Sequence, residues 1–184
     1  MGTFRVMNLI EKLVTKIDED GLWEKEHHLK RNQYLKVHGS KDLNLYYVLE
    51  GSVIIFLMDA GEEQIIRFGY QGDFVAALDS FISEGPSELY IRAIRATSVR
   101  SVPKSALMTV IGESDEYAKI YKQILEAWVI QQMERERDLL TSSPAERYQR
   151  VLKRSPHLFQ EVPHRYIASY LRMTPETLSR IKKS

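Results

Sequence analysis

The chain has no cysteine among its 184 residues. That removes disulfides, iron–sulfur clusters, thiolate zinc sites and thiol redox sensing. Long apolar runs are missing too. The longest, Val53–Met58, is six residues, against the ~20 a helix needs to cross a bilayer. Met1–Leu9, followed by Glu11 and Lys12, lacks the apolar core of a signal peptide. The expectation is a soluble cytoplasmic protein with no membrane contact. Signatures of chemistry are equally scarce. The histidines are His27, His28, His38, His157 and His164, with no His-x-His pair. There is no Gly-rich phosphate loop before a helix, no serine elbow and no His-Glu-x-x-His. No catalytic residue, metal ligand or cofactor is therefore expected, and the chain does not read as an enzyme. His27 and His28, side by side in a charged stretch, read as solvent-facing.

What is present is unevenly placed. The last of nine glycines is Gly112, which leaves 72 residues without one, while four of six prolines (Pro144, Pro156, Pro163, Pro175) lie in that second part. Glycine supplies the positive-φ positions of tight turns and weakens helix interiors, so a turn-rich first part precedes a helical second part. Charge divides at nearly the same place. From Pro144 onward nine Lys and Arg face only Glu146, Glu161 and Glu176, a net +6; with +1 overall, the remainder carries −5. An acidic body with a basic tail is the footprint of a polyanion binder, although a solvated helical face has the same composition.

In the first part, Tyr34–Val37, Leu45–Leu49, Ser52–Met58, Gln64–Phe68, Tyr90–Ile94 and Val99–Val102 are short segments of strand-forming residues with turn signals between them. Ser52–Met58 and Gln64–Phe68, separated by Asp59–Glu63 with central Gly61, predict a hairpin. Together these segments predict a β-roll, barrel or sandwich. A metal-dependent cupin enzyme is disfavoured by the scattered histidines. Before the strands, Val6, Leu9, Ile10, Leu13, Val14 and Ile17 form the stripe of an amphipathic helix.

Ser114–Leu140 has no Gly or Pro and predicts a helix about 40 Å long. Tyr117, Ile120, Ile124, Ala127 and Gln131 make one stripe; Tyr121, Leu125, Trp128 and Gln132 make a second. Two faces fit a helix packed on its own body and on a partner chain, with a single wide stripe as the alternative. The dimer is favoured because polar Met133–Asp138 would otherwise project without purpose.

The tail opens with Ser143-Pro144-Ala145-Glu146, a capping box with proline at the first helical position, and this helix runs to about Lys153. Pro163–Leu171 then predicts a short helix with Ile167, Ala168 and Leu171 inward. Arg172-Met173-Thr174 is a tight break. Pro175 opens a second helix capped by Thr174, with Leu178 and Ile181 inward. Small Ala168 permits close approach, and Met173 plugs the turn. This is the spacing of a helix-turn-helix, whose second helix enters the DNA major groove. Thr174, Pro175, Glu176, Thr177, Ser179 and Arg180 are the candidate reading positions, an Arg being able to bind guanine and a Glu to accept from cytosine. Arg165, Lys182 and Lys183 suit phosphate. Arg172 stands where glycine is usual, at a left-handed position that costs a side chain roughly 1 kcal/mol.

Together these segments resemble the Crp/Fnr family of bacterial transcription regulators over nearly the whole chain. Leu45–Val53 is similar to the family's central β-roll strand and turn, Gln71-Gly72-Asp73-Phe74 to the start of its phosphate-binding cassette, and Thr174–Ile181 to its recognition helix. The resemblance implies an α+β chain: an N-terminal double-stranded β-roll of the cyclic-nucleotide-binding type over residues 1–112, a long dimerisation helix over 113–141, and a C-terminal all-α helix-turn-helix over 142–184. Because the chain ends at Ser184, a full wing is expected to be lacking. The resemblance places Ala77 where nucleotide-binding members have a Glu for ribose and Ser87 where they have an Arg for the cyclic phosphate, with Glu88 next door. Loss of that charge-assisted contact predicts no tight binding of a cyclic nucleotide. A different effector would lie near Phe74, Leu78, Ser87, Tyr90 and Trp128. The expected partners are double-stranded DNA with a palindromic operator, read by two recognition helices roughly 34 Å apart, and a second copy of the chain. The alternative is a small-molecule-binding or protein-interaction β-roll without DNA-binding activity.

Overall fold

The alternating apolar residues of the first hundred positions build two antiparallel four-stranded sheets, and the glycine-free remainder builds helices. The computed structural model describes residues 2–183, with side chains from Val6 onward. The chain divides into two compact units, Met1–Leu57 with Ile66–Ala127, and Met58–Ile65 with Trp128–Ser184.

In the first unit, α1 (Gly2–Glu19) buries Ile10, Leu13 and Ile17 of its expected stripe. The strands are β1 (Lys25–Leu29), β2 (Tyr34–Lys36), β3 (Asn44–Glu50), β4 (Ser52–Asp59), β5 (Glu62–Tyr70), β6 (Phe74–Val75), β7 (Tyr90–Ala93) and β8 (Thr97–Pro103). They pair in the orders β1-β8-β3-β6 and β2-β7-β4-β5. Register follows the period of two: Leu45 lies opposite Val102 and Val48 opposite Val99, while Val53 lies opposite Ala93 and Ile55 opposite Ile91. The inward residues of both sheets, Tyr46, Val48, Val75 and Val99 with Val53, Ile55 and Ile91, share one core with Ala77. The short helix α2 (Leu78–Ser83) follows β6, and α3 (Lys104–Glu113) follows β8.

Two details differ from the sequence expectations. The β4–β5 loop is not five residues but two, Ala60 and Gly61, at φ 50° and 84°, the doubly left-handed turn that matches strand twist. Charged Lys25–Leu29 is a strand. Along it His28 is exposed, whereas His27 is half-buried, with Nε2 3.2 Å from the Ser101 hydroxyl and its ring edge-on to Tyr46. Burial, then nearby Lys25, pushes the His27 imidazole below its ordinary pKa. The helix expected over Ser114–Leu140 is α4 (Asp115–Leu140).

The second unit holds the end of α4, α5 (Pro144–Arg154), α6 (Leu158–Glu161), α7 (His164–Tyr170) and α8 (Pro175–Lys183). The Ser143 hydroxyl caps α5 by accepting the Glu146 N–H at 3.3 Å. Val151, Leu158, Val162, Ile167, Ala168, Leu171 and Leu178 form its buried interior. On α4, Ile120, Ile124 and Trp128 are buried, but Met133–Asp138 does not simply project as expected. Arg135 and Asp138 are buried, and Asp138 accepts from Arg150 Nε at 2.9 Å and from Arg154. The exposed apolar side chains are instead Val129, Ile130, Met133 and Leu140. Among the described residues no helix is long and apolar enough to cross a membrane.

Gly51 joins β3 to β4 at φ 86°, and a Cβ there would lie 2.3 Å from the Ala96 carbonyl oxygen and 2.8 Å from Thr97 Cα. Backbone atoms cannot yield as a flexible side chain would. Gly51→Ala should therefore cost about 3 kcal/mol in urea unfolding, whereas Gly61→Ala, with open space around it, should cost closer to 1 kcal/mol.

Candidate nucleic-acid interface

The turn between α7 and α8 is built by backbone bonds. The Met173 N–H donates to the Ala168 carbonyl at 3.0 Å and the Arg172 N–H to the Ser169 carbonyl at 3.1 Å. This pair is the Schellman ending of a helix, which demands a left-handed residue just past the cap. Arg172 occupies it at φ 53°, in line with the expected strain. Thr174 then caps α8, its hydroxyl accepting the Thr177 N–H at 3.2 Å. Leu178, Ala168 and Ile167 are buried, while Ile181 and Met173 are half-buried.

Of the expected reading positions, Thr174, Pro175, Glu176, Ser179 and Arg180 are exposed and Thr177 is half-buried. Arg180 Nη2 lies 3.5 Å from the Thr177 hydroxyl, so both sit on one face. The Glu176 carboxyl is held below the usual range by its own backbone N–H and by Thr174, and is an acceptor at neutral pH. Of the expected phosphate contacts, Arg165 is exposed and stacks over Tyr166 at 4.5 Å, Lys182 Nζ lies 2.7 Å from His164 Nε2, and Lys183 is exposed.

Not all of the tail's positive charge points outward. Buried Arg147 donates to the carbonyls of Leu171 at 3.0 Å, Thr141 at 2.6 Å, Ser142 at 3.1 Å and Arg172 at 3.3 Å. Arg150 and Arg154 pair with Asp138 and Glu134 on α4. The charge offered to a polyanion is therefore smaller than the +6 of the segment. Arg147 carried no signal in the sequence, where a structural arginine and a phosphate-binding one look alike.

The expected effector positions are spread out. Phe74 lies buried on β6, edge-on to Tyr47 at 5.6 Å, and Tyr90 on β7 in the other sheet stacks on Phe56 at 5.0 Å. Leu78 is half-buried at the start of α2, and Trp128 is buried in the second unit. None of these lines a cavity of about 320 Å³ walled by Tyr34–Val37, Ser40–Asp42, Asn44 and Tyr46. Ser87 is buried, and its hydroxyl donates to Asp79 Oδ1 at 2.7 Å, while the Glu88 N–H donates to Asp79 Oδ2 at 2.9 Å. The donors at the position matched to the cyclic phosphate are thus already occupied by a carboxylate of the chain itself. Asp79 was missed; its only sequence trace is an acid in the first turn after Ala77.

Residues 26–114 match the cyclic nucleotide-binding domain family. The first unit carries a cyclic nucleotide-binding domain fold. The fold of the chain is that of several solved structures, each under 25% identical to it. It is similar to FixK2 of Bradyrhizobium japonicum, with 24% identity and a TM-score of 0.70 over 86% of this chain and 82% of that one. It is similar to the c-di-GMP responsive global regulator CLP of Xanthomonas campestris, with 16% identity and a TM-score of 0.69 over 92% and 90%. A cyclic nucleotide-binding domain containing protein of Listeria monocytogenes aligns with 12% identity and a TM-score of 0.70 over 95% and 86%. No curated protein matches the chain.

Within the matched segment, Ala77 is fully buried and its side chain offers no hydrogen-bond acceptor. Asp79 adds a carboxylate beside Ser87 and Glu88. Calorimetric titration with cyclic AMP and cyclic GMP should show no binding at micromolar concentrations; micromolar or tighter affinity for either would contradict this cassette geometry.

Proposed function

We propose that the protein is a homodimeric, sequence-specific DNA-binding transcription regulator that reads the major groove with α8. The observation that carries this reading is the exposed row of Thr174, Pro175, Glu176, Ser179 and Arg180 on a capped helix that follows a Schellman turn. In a helix-turn-helix the residues at the start of the second helix meet base edges. Arg180 suits guanine and ionised Glu176 suits a cytosine amine, while Arg165, Lys182 and Lys183 serve the backbone. The fold neighbours support this: one is described as the sensor domain of the transcriptional regulator DNR of Pseudomonas aeruginosa and another as a catabolite activator protein of Thermus thermophilus.

A second copy of the chain is the proposed partner of α4. Val129, Met133 and Leu140 lie at helical spacing on one side and are 59%, 61% and 85% exposed, an apolar stripe of the kind that pairs helices. Two copies would present two α8 helices to a palindrome. Asp79 in the cassette supports an input to the β-roll other than a cyclic nucleotide.

Gel shift against genomic fragments separates this function from a β-roll that never meets DNA. On a selected duplex, affinity should fall roughly a thousandfold between about 50 and about 200 mM salt if the dimer meets six phosphates. Arg180→Ala should relax base choice at one position in each half-site, by about 1–3 kcal/mol of discrimination. A salt-insensitive complex, or an Arg180→Ala protein with unchanged preference, would contradict the proposal.

A further inference from the structure

The cavity of about 320 Å³ in the first unit is walled by β2, the loop after it and the start of β3. It is not the space between the two sheets, where Val48, Val53, Ile55, Ala77 and Ile91 form the core. Its size is that of a small-molecule site. Its walls carry two buried ions of opposite sign, Lys36 at 5% exposure and Asp42 at 7%. Among the described residues neither ion forms a salt bridge, with the other or with a third group. A buried charge without a counter-ion costs the fold stability, and here there are two of them beside one cavity. The Lys36 ammonium is held by backbone oxygens alone. It donates to the carbonyls of Val37 at 2.7 Å and Leu89 at 2.9 Å, with that of Ser87 more distant at 3.5 Å. Of its three N–H bonds one is therefore weakly engaged. Burial holds the ammonium below its ordinary pKa, and Asp79 and Asp42 offset this only in part. Asp42 Oδ1 accepts from the Asn44 backbone N–H at 3.1 Å and from its side-chain amide at 3.2 Å. The single proton of the Tyr46 hydroxyl is shared between Oδ2 at 3.0 Å and Oδ1 at 3.2 Å, which leaves Oδ2 with lone-pair capacity.

The geometry points to this cavity as a binding site for a small zwitterion of the α-amino-acid type, its carboxylate taken by Lys36 and its ammonium by Asp42. A ligand that carries both charges on neighbouring groups gives each buried ion the counter-charge that the chain withholds, through two charge-assisted contacts. A simple anion gains Lys36 but faces the Asp42 carboxylate. A simple cation gains Asp42 but faces Lys36. Either one leaves a buried ion unpaired and loses affinity for it. Exposed Lys41, also on the wall, adds to the pull on a carboxylate. Tyr34, Leu35 and Val37 offer contact to an aliphatic or aromatic side chain. The inference gives a ligand class to the non-nucleotide input proposed above and rests on that reading for its meaning in regulation, whereas binding itself requires no DNA.

The test is calorimetric titration of the full chain with a panel of the proteinogenic L-amino acids, followed by the deaminated and decarboxylated analogues of the tightest binder. For L-leucine these are isocaproate and isopentylamine. At least one amino acid should bind with sub-millimolar affinity, and each analogue should bind roughly tenfold more weakly or worse. Amide NMR shifts should move at Lys36, Asp42 and Asn44 during the titration. Lys36→Met should lower affinity for the amino acid by a similar factor and spare the amine; Asp42→Asn should lower it and spare the acid. The analogue comparison uses the unaltered protein, so it decides the matter even where a variant does not fold. Absence of binding by every amino acid in the millimolar range would overturn the site, as would shifts confined to other parts of the chain. An analogue as tight as its parent amino acid would overturn the zwitterion. If the protein retains no duplex in gel shift, the DNA reading fails, while the titration still decides the site.

Discussion

The turn between α7 and α8 depends on two buried guanidiniums, those of Arg135 and Arg147. A helix that ends inside a protein leaves carbonyls without N–H partners, and a buried carbonyl without a donor costs on the order of 1–3 kcal/mol. At the end of α7, Arg135 takes the Tyr170 carbonyl and Arg147 takes those of Leu171 and Arg172. With these oxygens satisfied, the chain can stop the helix, pass through the left-handed position at Arg172 and start α8 three residues later. Guanidinium suits this work because its fork of five donors can serve several acceptors at once. Neither lysine nor a neutral amide could serve the four carbonyls around Arg147.

The same arginines change the meaning of the charge asymmetry. A tail that reads as +6 spends part of that charge inside the second unit, on backbone carbonyls and on Asp138. What remains outward is concentrated on Arg165 and the α8 residues Arg180, Lys182 and Lys183, with Lys153. The β-roll makes a parallel use of an internal ion: Asp79 accepts from Ser87 and Glu88. In both places donors suited to an external anion are satisfied from within, whereas Arg180, Lys182 and Lys183 of α8 are exposed.

The sequence made the periodic features legible. Strand-forming residues between turn signals marked β2, β3, β4, β5, β7 and β8, and caps marked the starts of α5 and α8, because both signals are local. The strand Lys25–Leu29 escaped notice because an edge strand can be charged along most of its length, with only Leu29 buried. The hairpin looked longer than it is because Glu62 and Glu63 are polar, yet they pair within β5. The nine candidate interface residues could be named from helical spacing alone. Arg147, Arg135 and Asp79 could not, since each is defined by partners remote in the chain. The apolar stripe of α4 was displaced for the same reason: Trp128 is buried and Val129 and Met133 are not, a choice made by tertiary packing rather than by periodicity.

The most direct measurement is selection of duplexes from a random pool by the full-length protein, followed by sequencing. Enrichment of an inverted repeat with half-site centres about one helical turn apart, lost when α8 carries Arg180→Ala, is the result expected of two α8 helices reading a palindrome. A pool that emerges without enrichment at low ionic strength would contradict the assignment of α8 as the reading helix.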